Sequence, residues 1–162
     1  MKKLLLILAL FCTSVNANAQ TFKIGVIDAD KIMQEAKIAK LAQQKIESEA
    51  KKRQSELEVI AKKGRTALEK LQKEGASLSQ SEQDKRRKEL DDIDNTFRAK
   101  QSQFQEEIAN IRNTEFSNVV TNTNAVIKTI ASQEKFDLIL QDAVYVNPEL
   151  DITNKILNVL NK

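Results

Sequence analysis

The sequence has no histidine and no tryptophan, and among its 162 residues it holds one proline, three glycines, one tyrosine and one cysteine. Without histidine, the usual near-neutral general base and the commonest zinc ligand are both missing. Most hydrolase and metalloenzyme chemistries are thereby excluded. So few turn-formers also exclude a sandwich or barrel of many short strands, which needs a turn signal about every 8 to 12 residues. The Ser, Thr, Lys, Asp and Glu residues that remain form no nucleophile elbow, no phosphate-cradling glycine-rich loop and no metal-ligand cluster. The chain therefore reads as non-enzymatic, with no cofactor, and as mainly helical.

Charge is what the sequence has in quantity, with 26 Lys and Arg against 23 Asp and Glu. The first 19 residues are read separately. Lys2 and Lys3 precede an apolar run from Leu4 to Cys12, and Ala17-Asn18-Ala19 follows. This is the layout of a secretory signal cleaved before Gln20, and nine apolar residues are too few to span about 30 Å of hydrocarbon. Export of the mature chain, without its only cysteine, is the expectation. Removing 19 residues that include two lysines leaves 143 residues with 24 basic and 23 acidic groups. That balance disfavours nucleic acid as a partner, because such binders carry a large excess of phosphate-neutralising side chains.

Apolar residues are unevenly distributed. From Glu47 to Asp92 only 11 of 46 residues are apolar and half are charged, whereas the flanks 20–46 and 93–162 hold 42 apolar residues in 97. Acid precedes base at helical spacing in Glu47/Lys51, Glu49/Arg53, Glu58/Lys62, Glu69/Lys73 and Asp84/Lys88, the better orientation for such pairs. The middle is thus a solvated helix rather than coil. A thin apolar seam runs through it, outward at Leu57, Ile60, Gly64, Leu68 and Leu71 and back at Ile93, Phe97, Phe104, Ile108 and Ile111. So narrow a stripe suits a two-helix coiled coil, although the steps of eleven from Ile93 to Phe104 and Phe97 to Ile108 depart from a strict heptad.

The turn between the two helices falls at residues 75–79. Gly75 suits a left-handed position after the outgoing helix, and Ser79 with Glu82 forms a capping box for the returning one. A helix from Asp30 to Glu74 would be roughly 65 to 70 Å long. That exceeds the diameter of a 143-residue globule, about 30 to 40 Å, so the hairpin must protrude. Gly64, inside it, marks either a flexible joint or a close helix crossing.

The two chain ends make a small β body. Phe22, Ile24 and Val26 alternate with polar or small residues, Phe136, Leu138 and Leu140 repeat the pattern, and Ala143 to Val146, with Val144, provides a third short run after a connection at Gln141-Asp142. Asp151 then caps a last helix with Ile152, Ile156, Val159 and Leu160 inward. The expected class is mainly α with a small β body (α+β). Its divisions are 20–46 with 112–162 as body and arm bases, and 47–111 as a helical-hairpin arm. So little core without cysteines calls for oligomerisation, with sheet edges pairing between copies.

Lys23-Ile24-Gly25-Val26-Ile27-Asp28 leading into Asp30-Lys31-Ile32-Met33, the long charged hairpin, and Phe136-Asp137-Leu138-Ile139-Leu140 followed by Val144-Tyr145-Val146 and Asp151-Ile152-Thr153 resemble the Skp/OmpH family of periplasmic chaperones. The resemblance covers essentially all of the mature chain. It implies a jellyfish-shaped homotrimer in the periplasm, with a shared β body and helical arms around a cavity for unfolded outer-membrane proteins. It also implies that no ATP is used. The near-balanced charge departs from the strongly basic members of that family.

Candidate client contacts are the apolar residues the seam does not need, Val59 and Leu78, and the run Lys85-Arg86-Arg87-Lys88. That run could instead touch a membrane surface or nucleic acid, but Glu82, Asp84, Glu89, Asp91 and Asp92 beside it largely cancel its charge. Asp28-x-Asp30 is a helix cap with a first-turn acid rather than a metal motif. Asn110, Asn113, Asn118, Asn122 and Asn124 bond client backbone, specify register or simply face water near the arm base. A structural coiled-coil protein of the cell envelope is the alternative to a chaperone, and a nucleic-acid or lipid-surface binder acting through the basic tip is the third class.

Overall fold

The computed structural model describes residues 22–162; the expected signal segment, with Cys12, lies outside the described residues. Strand β1 (Ile24–Ile27) is followed by helices α1 (Ala29–Glu35), α2 (Lys37–Glu74) and α3 (Gln80–Glu134), strand β2 (Leu138–Gln141) and helix α4 (Thr153–Leu160). Short 3₁₀ turns span Gly75–Ser77 and Pro148–Leu150. Asp28 links β1 to α1. Its backbone is extended, and its carboxylate accepts the Lys31 N–H at 2.8 Å, with Asp30 adding negative charge in the first turn. The Asp28-x-Asp30 pair is thus a helix cap.

The long outgoing helix does not start at Asp30. Ala36, fully buried and extended at ψ 133°, separates α1 from α2. The first N–H of α2, that of Lys37, has no acceptor in its own helix and donates to Asn161 Oδ1 at 2.6 Å. The end of the chain therefore caps the start of the arm. From Lys37, 38 residues rise about 57 Å, and the 55 residues of α3 return about 82 Å. No proline interrupts either helix, since the one proline is Pro148.

At the hairpin tip Gly75 is right-handed (φ −56°, ψ −37°) and begins a 3₁₀ turn, which corrects the expected left-handed cap. The reason lies across the turn: Gln83 Nε2 donates to the carbonyls of Gly75 (2.8 Å) and Leu78 (3.3 Å), so those groups need no left-handed residue. Ser79 and Glu82 close a reciprocal capping box.

Of residues 43–103 none is buried. The half-buried positions on α2 include the ladder 46, 50, 53, 57, 60, 64, 67, 71, with 38, 49 and 61 beside it, and those on α3 include 86, 90, 93, 97 and 100 before buried Phe104. Both are four-three steps, the heptad period. The step of eleven from Ile93 to Phe104 is an ordinary four-three-four in which Lys100 occupies a seam position, its Nζ 5.4 Å from the Phe104 ring centre, whereas Phe97 to Ile108 runs three-four-four and leaves the heptad after Phe104. Leu68, expected in the seam, is 45% exposed, and the heptad step from Gly64 lands on Ala67 instead. Leu57, Ile60, Leu71, Ile93, Phe97 and Ile108 are half-buried.

β1 and β2 pair in parallel, with Ile24 opposite Leu138 and Ile27 opposite Gln141. The whole helical hairpin is the crossover that a parallel pair requires. Gln141-Asp142 is therefore no hairpin connection. Asp142 (φ 54°) turns the chain out of the sheet, its N–H donating to the Ile27 carbonyl and its carboxylate accepting the Ala29 N–H. The expected third strand, Ala143 to Val146, is coil. The free edge of β1 is met instead by Asp151, in a parallel bridge to Val26, and the Ile152 N–H donates to the Val26 carbonyl at 2.9 Å.

The core lies at the arm base, where Ile27, Ile32, Ala39, Val119, Ile130 and Ile156 pack together. Gly25 permits this closeness: a Cβ there would stand 2.8 Å from Ile152 Cδ1. Asp151 Oδ1 accepts the Thr153 N–H at 2.8 Å, capping α4 from just outside it. The buried stripe of α4 runs Thr153, Ile156, Leu157 and Leu160, so Val159, expected inward, falls off it and is 41% exposed.

Candidate functional site

Two clefts flank the seam in the outer half of the arm. The larger, about 990 Å³, has an apolar floor of Val59, Ile60, Ala67 and Ile93. Its rim carries Lys62, Lys63 and Lys70 from α2 and Lys85, Arg86 and Lys88 from α3, against only Glu89 and Asp92. The cleft on the other side, about 460 Å³, carries Arg65, Asp91 and Asp94 around Ile60, Leu68, Leu90 and Phe97. Charge that cancels along the sequence is thus separated by face. Of the expected contacts, Val59, Lys85, Arg86 and Lys88 line the basic cleft. Arg87 does not; it lies 3.8 Å from Asp84 in an exposed pair, and Leu78 is half-buried at the tip. Lys62, Lys63 and Lys70 line the same cleft and lie outside the expected set. A tip at 75–79 brings residues near 70 opposite residues near 86, so the sequence carries this register.

Ionic ties hold the two helices together nearer the base. Arg53, in a seam position, donates from Nε to Glu107 at 3.0 Å across the arm, pairs with Glu49 on its own helix, and places its guanidinium 5.9 Å from the Phe104 ring centre. Gln103 first, and then Arg53, hold the Glu107 carboxyl below its usual range by hydrogen bonding. Lys45 donates to Glu115 at 2.5 Å, which raises the lysine above its ordinary value. Of the five pairs expected at helical spacing, Glu49/Arg53 is a salt bridge; Asp94/Arg98 is a further one at that spacing. Asn122 Nδ2 donates to the Asn118 carbonyl of its own helix at 2.8 Å.

At the other end, Val26 lies in the core, while Ile24, Phe136 and Val146 are half-buried. Ile139, not its neighbours, faces the core from β2; Leu138 and Leu140 are 41% and 43% exposed. Phe22, Val144 and Tyr145 are exposed too. Among the described residues β2 pairs only with β1, which leaves its outer edge open there. Lys155 and Lys23 converge on Glu134, at 2.6 and 3.4 Å, and Lys23 Nζ lies 4.1 Å from the Phe136 ring centre. These lysines, Lys155 foremost, hold Glu134 below the usual carboxylate range. Among the described residues no group of three or more His, Cys, Asp or Glu is placed to hold a metal, and no helix is long and apolar enough to cross a membrane.

A search of curated proteins finds no match to the chain. Its backbone is similar to the crystal structure of a protein from Caulobacter crescentus CB15 named as an outer membrane chaperone (OmpH-like), with a TM-score of 0.80 over 86% of this chain and 83% of that one. At 16% identity this is a likeness of fold. The family model described as outer membrane protein (OmpH-like) matches residues 23–160, from the residue before β1 to the last residue of α4. With the whole fold inside that match, the chain belongs to the OmpH-like outer membrane protein family.

Proposed function

We propose that the chain is an ATP-independent holdase of the periplasm, which keeps unfolded outer-membrane proteins from aggregating by enclosing them between the helical arms of a homotrimer. The observation that carries this reading is the arm: a helix pair that buries no residue from 43 to 103 and keeps apolar floors open to solvent on both faces. An unfolded barrel protein outside a bilayer presents alternating apolar residues with no lipid to cover them. A binder must screen these from other chains and still let go, and many weak contacts along an arm do that better than one tight pocket. Residues 47–111 are the client-facing arm, and 20–46 with 112–162 the body. Leu138 and Leu140, exposed on a strand with an open edge, support assembly through the body, since such an edge otherwise invites aggregation.

Two measurements test this. The mature chain should suppress light scattering when a urea-unfolded outer-membrane barrel is diluted into buffer without ATP, and its solution mass should be three times that of one chain. Unchanged scattering refutes the holdase, and a monomer refutes the cage. The six cations of the larger cleft favour one second reading, contact with an anionic lipid surface; vesicle binding that collapses steeply with salt, without any effect on client aggregation, would select it.

A further inference from the structure

Among the described residues, the buried side-chain polar atom that lacks a hydrogen-bond partner is the hydroxyl of Thr123. This residue is 9% exposed. A threonine inside a helix ordinarily bonds a carbonyl one turn back, as Thr96 does to Asp92 (2.7 Å) and Thr129 to Ala125 (2.9 Å). Thr123 does not. It lines a cavity of about 120 Å³, the scale of one side chain, walled by Phe116, Val120 and Ile127 of α3 and by Gln141 at the end of β2. Phe116 is 58% exposed and Val120 37%, so the mouth of the cavity is apolar and open.

The same chain carries a group of complementary shape and chemistry. Tyr145, its one tyrosine, is 83% exposed in the coil that leaves β2, beside a fully exposed Val144. A tyrosine ring is apolar with a hydroxyl at its far end, and when buried that hydroxyl needs a partner. We infer that Tyr145 of one copy inserts into the Thr123 cavity of the next, its ring against Phe116, Val120 and Ile127 and its hydroxyl bonded to Thr123 Oγ1. The inference rests on the assembly through the body proposed above and names the contact that holds it. A projecting residue that fits a cavity elsewhere on an identical chain makes a head-to-tail contact, which closes when the copies form a ring. The ring alone would bury about 150–250 Å², roughly a fifth to a third of the 800 Å² per partner typical of a stable interface. Leu138 and Leu140 are exposed to supply more.

The absence of tryptophan makes the test direct, because Tyr145 is then the dominant emitter of the mature chain. Acrylamide quenching of tyrosine emission is measured along a dilution series while light scattering reports mass. In the assembled form quenching should be several-fold weaker than after dissociation. Tyr145→Phe and Thr123→Val should each raise the concentration at which assembly is half complete by about tenfold, and the double variant should be little worse than either single one. Thr123→Val should leave the urea midpoint of the dissociated chain unchanged or higher, because it removes an unpartnered hydroxyl. Tyr145→Phe alters an exposed position of the lone chain and so keeps the test valid should Thr123→Val misfold. An assembly in which Tyr145 stays fully quenchable overturns the contact and leaves the trimer standing. Protection that persists at monomer mass, or strictly additive effects of the two variants, also overturns it. A chain that is monomeric at every concentration removes the assembly and the contact together.

Discussion

Gly25 and Gly64 both lack a side chain, for different reasons. At Gly25 an added Cβ meets Ile152 Cδ1 at 2.8 Å and Phe136 at 3.1 Å, inside the packed base. Gly25→Ala should therefore lower stability by about 1–3 kcal/mol. At Gly64 the nearest atom is Ile93 Cγ2 at 3.4 Å, an ordinary contact, and the glycine stands in the interior of a helix. Gly64→Ala should raise stability by about 0.5–1 kcal/mol. Urea midpoints of the two variants would show the opposite signs; a loss at both positions would mean that Gly64 too is held by close packing. Glu134 makes a prediction in pH. Its carboxyl is held below its ordinary value of 4.5 by Lys155 and Lys23, so the unfolded chain takes up a proton there before the folded one does. The stabilisation is present above that value and is lost as pH falls through the lower, folded one. Melting temperature should drop less between about pH 5 and pH 3 in Glu134→Gln than in the parent.

Among the elements, the arm was the most legible in sequence and the sheet the least. The Ser79/Glu82 box and the apolar steps of three and four are local and both persist in the fold, whereas of the five expected acid–base pairs Glu49/Arg53 alone closes as a salt bridge. Ser79→Ala should weaken the tip by about 0.5–2 kcal/mol, seen as faster amide exchange at residues 80–83 with the base unchanged. The seam's polar members were not legible, because Arg53 and Lys100 enter it with their stems while their charges reach outward. Nor was the break at Ala36, where neither proline nor glycine marks it. It exists because α1 must pack against α4, and Asn161 supplies the missing acceptor. Ala143 to Val146 carries a strand's alternation without a strand's partner, since the free edge of β1 is taken by Asp151.

At the scale of the molecule, the division between a packed base and an open arm makes variants separable. Val26 lies in the core and Leu138 outside it. Val26→Asp should unfold the chain, as circular dichroism would show, whereas Leu138→Asp should leave it helical and only lower its mass in solution. Lys62→Ala should change neither. Reversing charge in the basic cleft, as in Lys63→Glu with Lys85→Glu, should weaken client retention about three- to tenfold at low salt, with the gap closing as salt rises. Anisotropy of a labelled unfolded barrel would measure it, and an equal loss at high salt would shift the weight from charge to the apolar floor.

By itself the sequence determined a charged helical hairpin and its tip, because each depends on residues within one or two helical turns of one another, and it marked two apolar ends that must pack together because neither makes a core alone. Tertiary structure alone decided that the two strands run parallel and that the chain breaks at Ala36. Those features depend on residues brought together from opposite ends of a hairpin about a hundred residues long, where a shift of one residue in register would turn a different face to the partner.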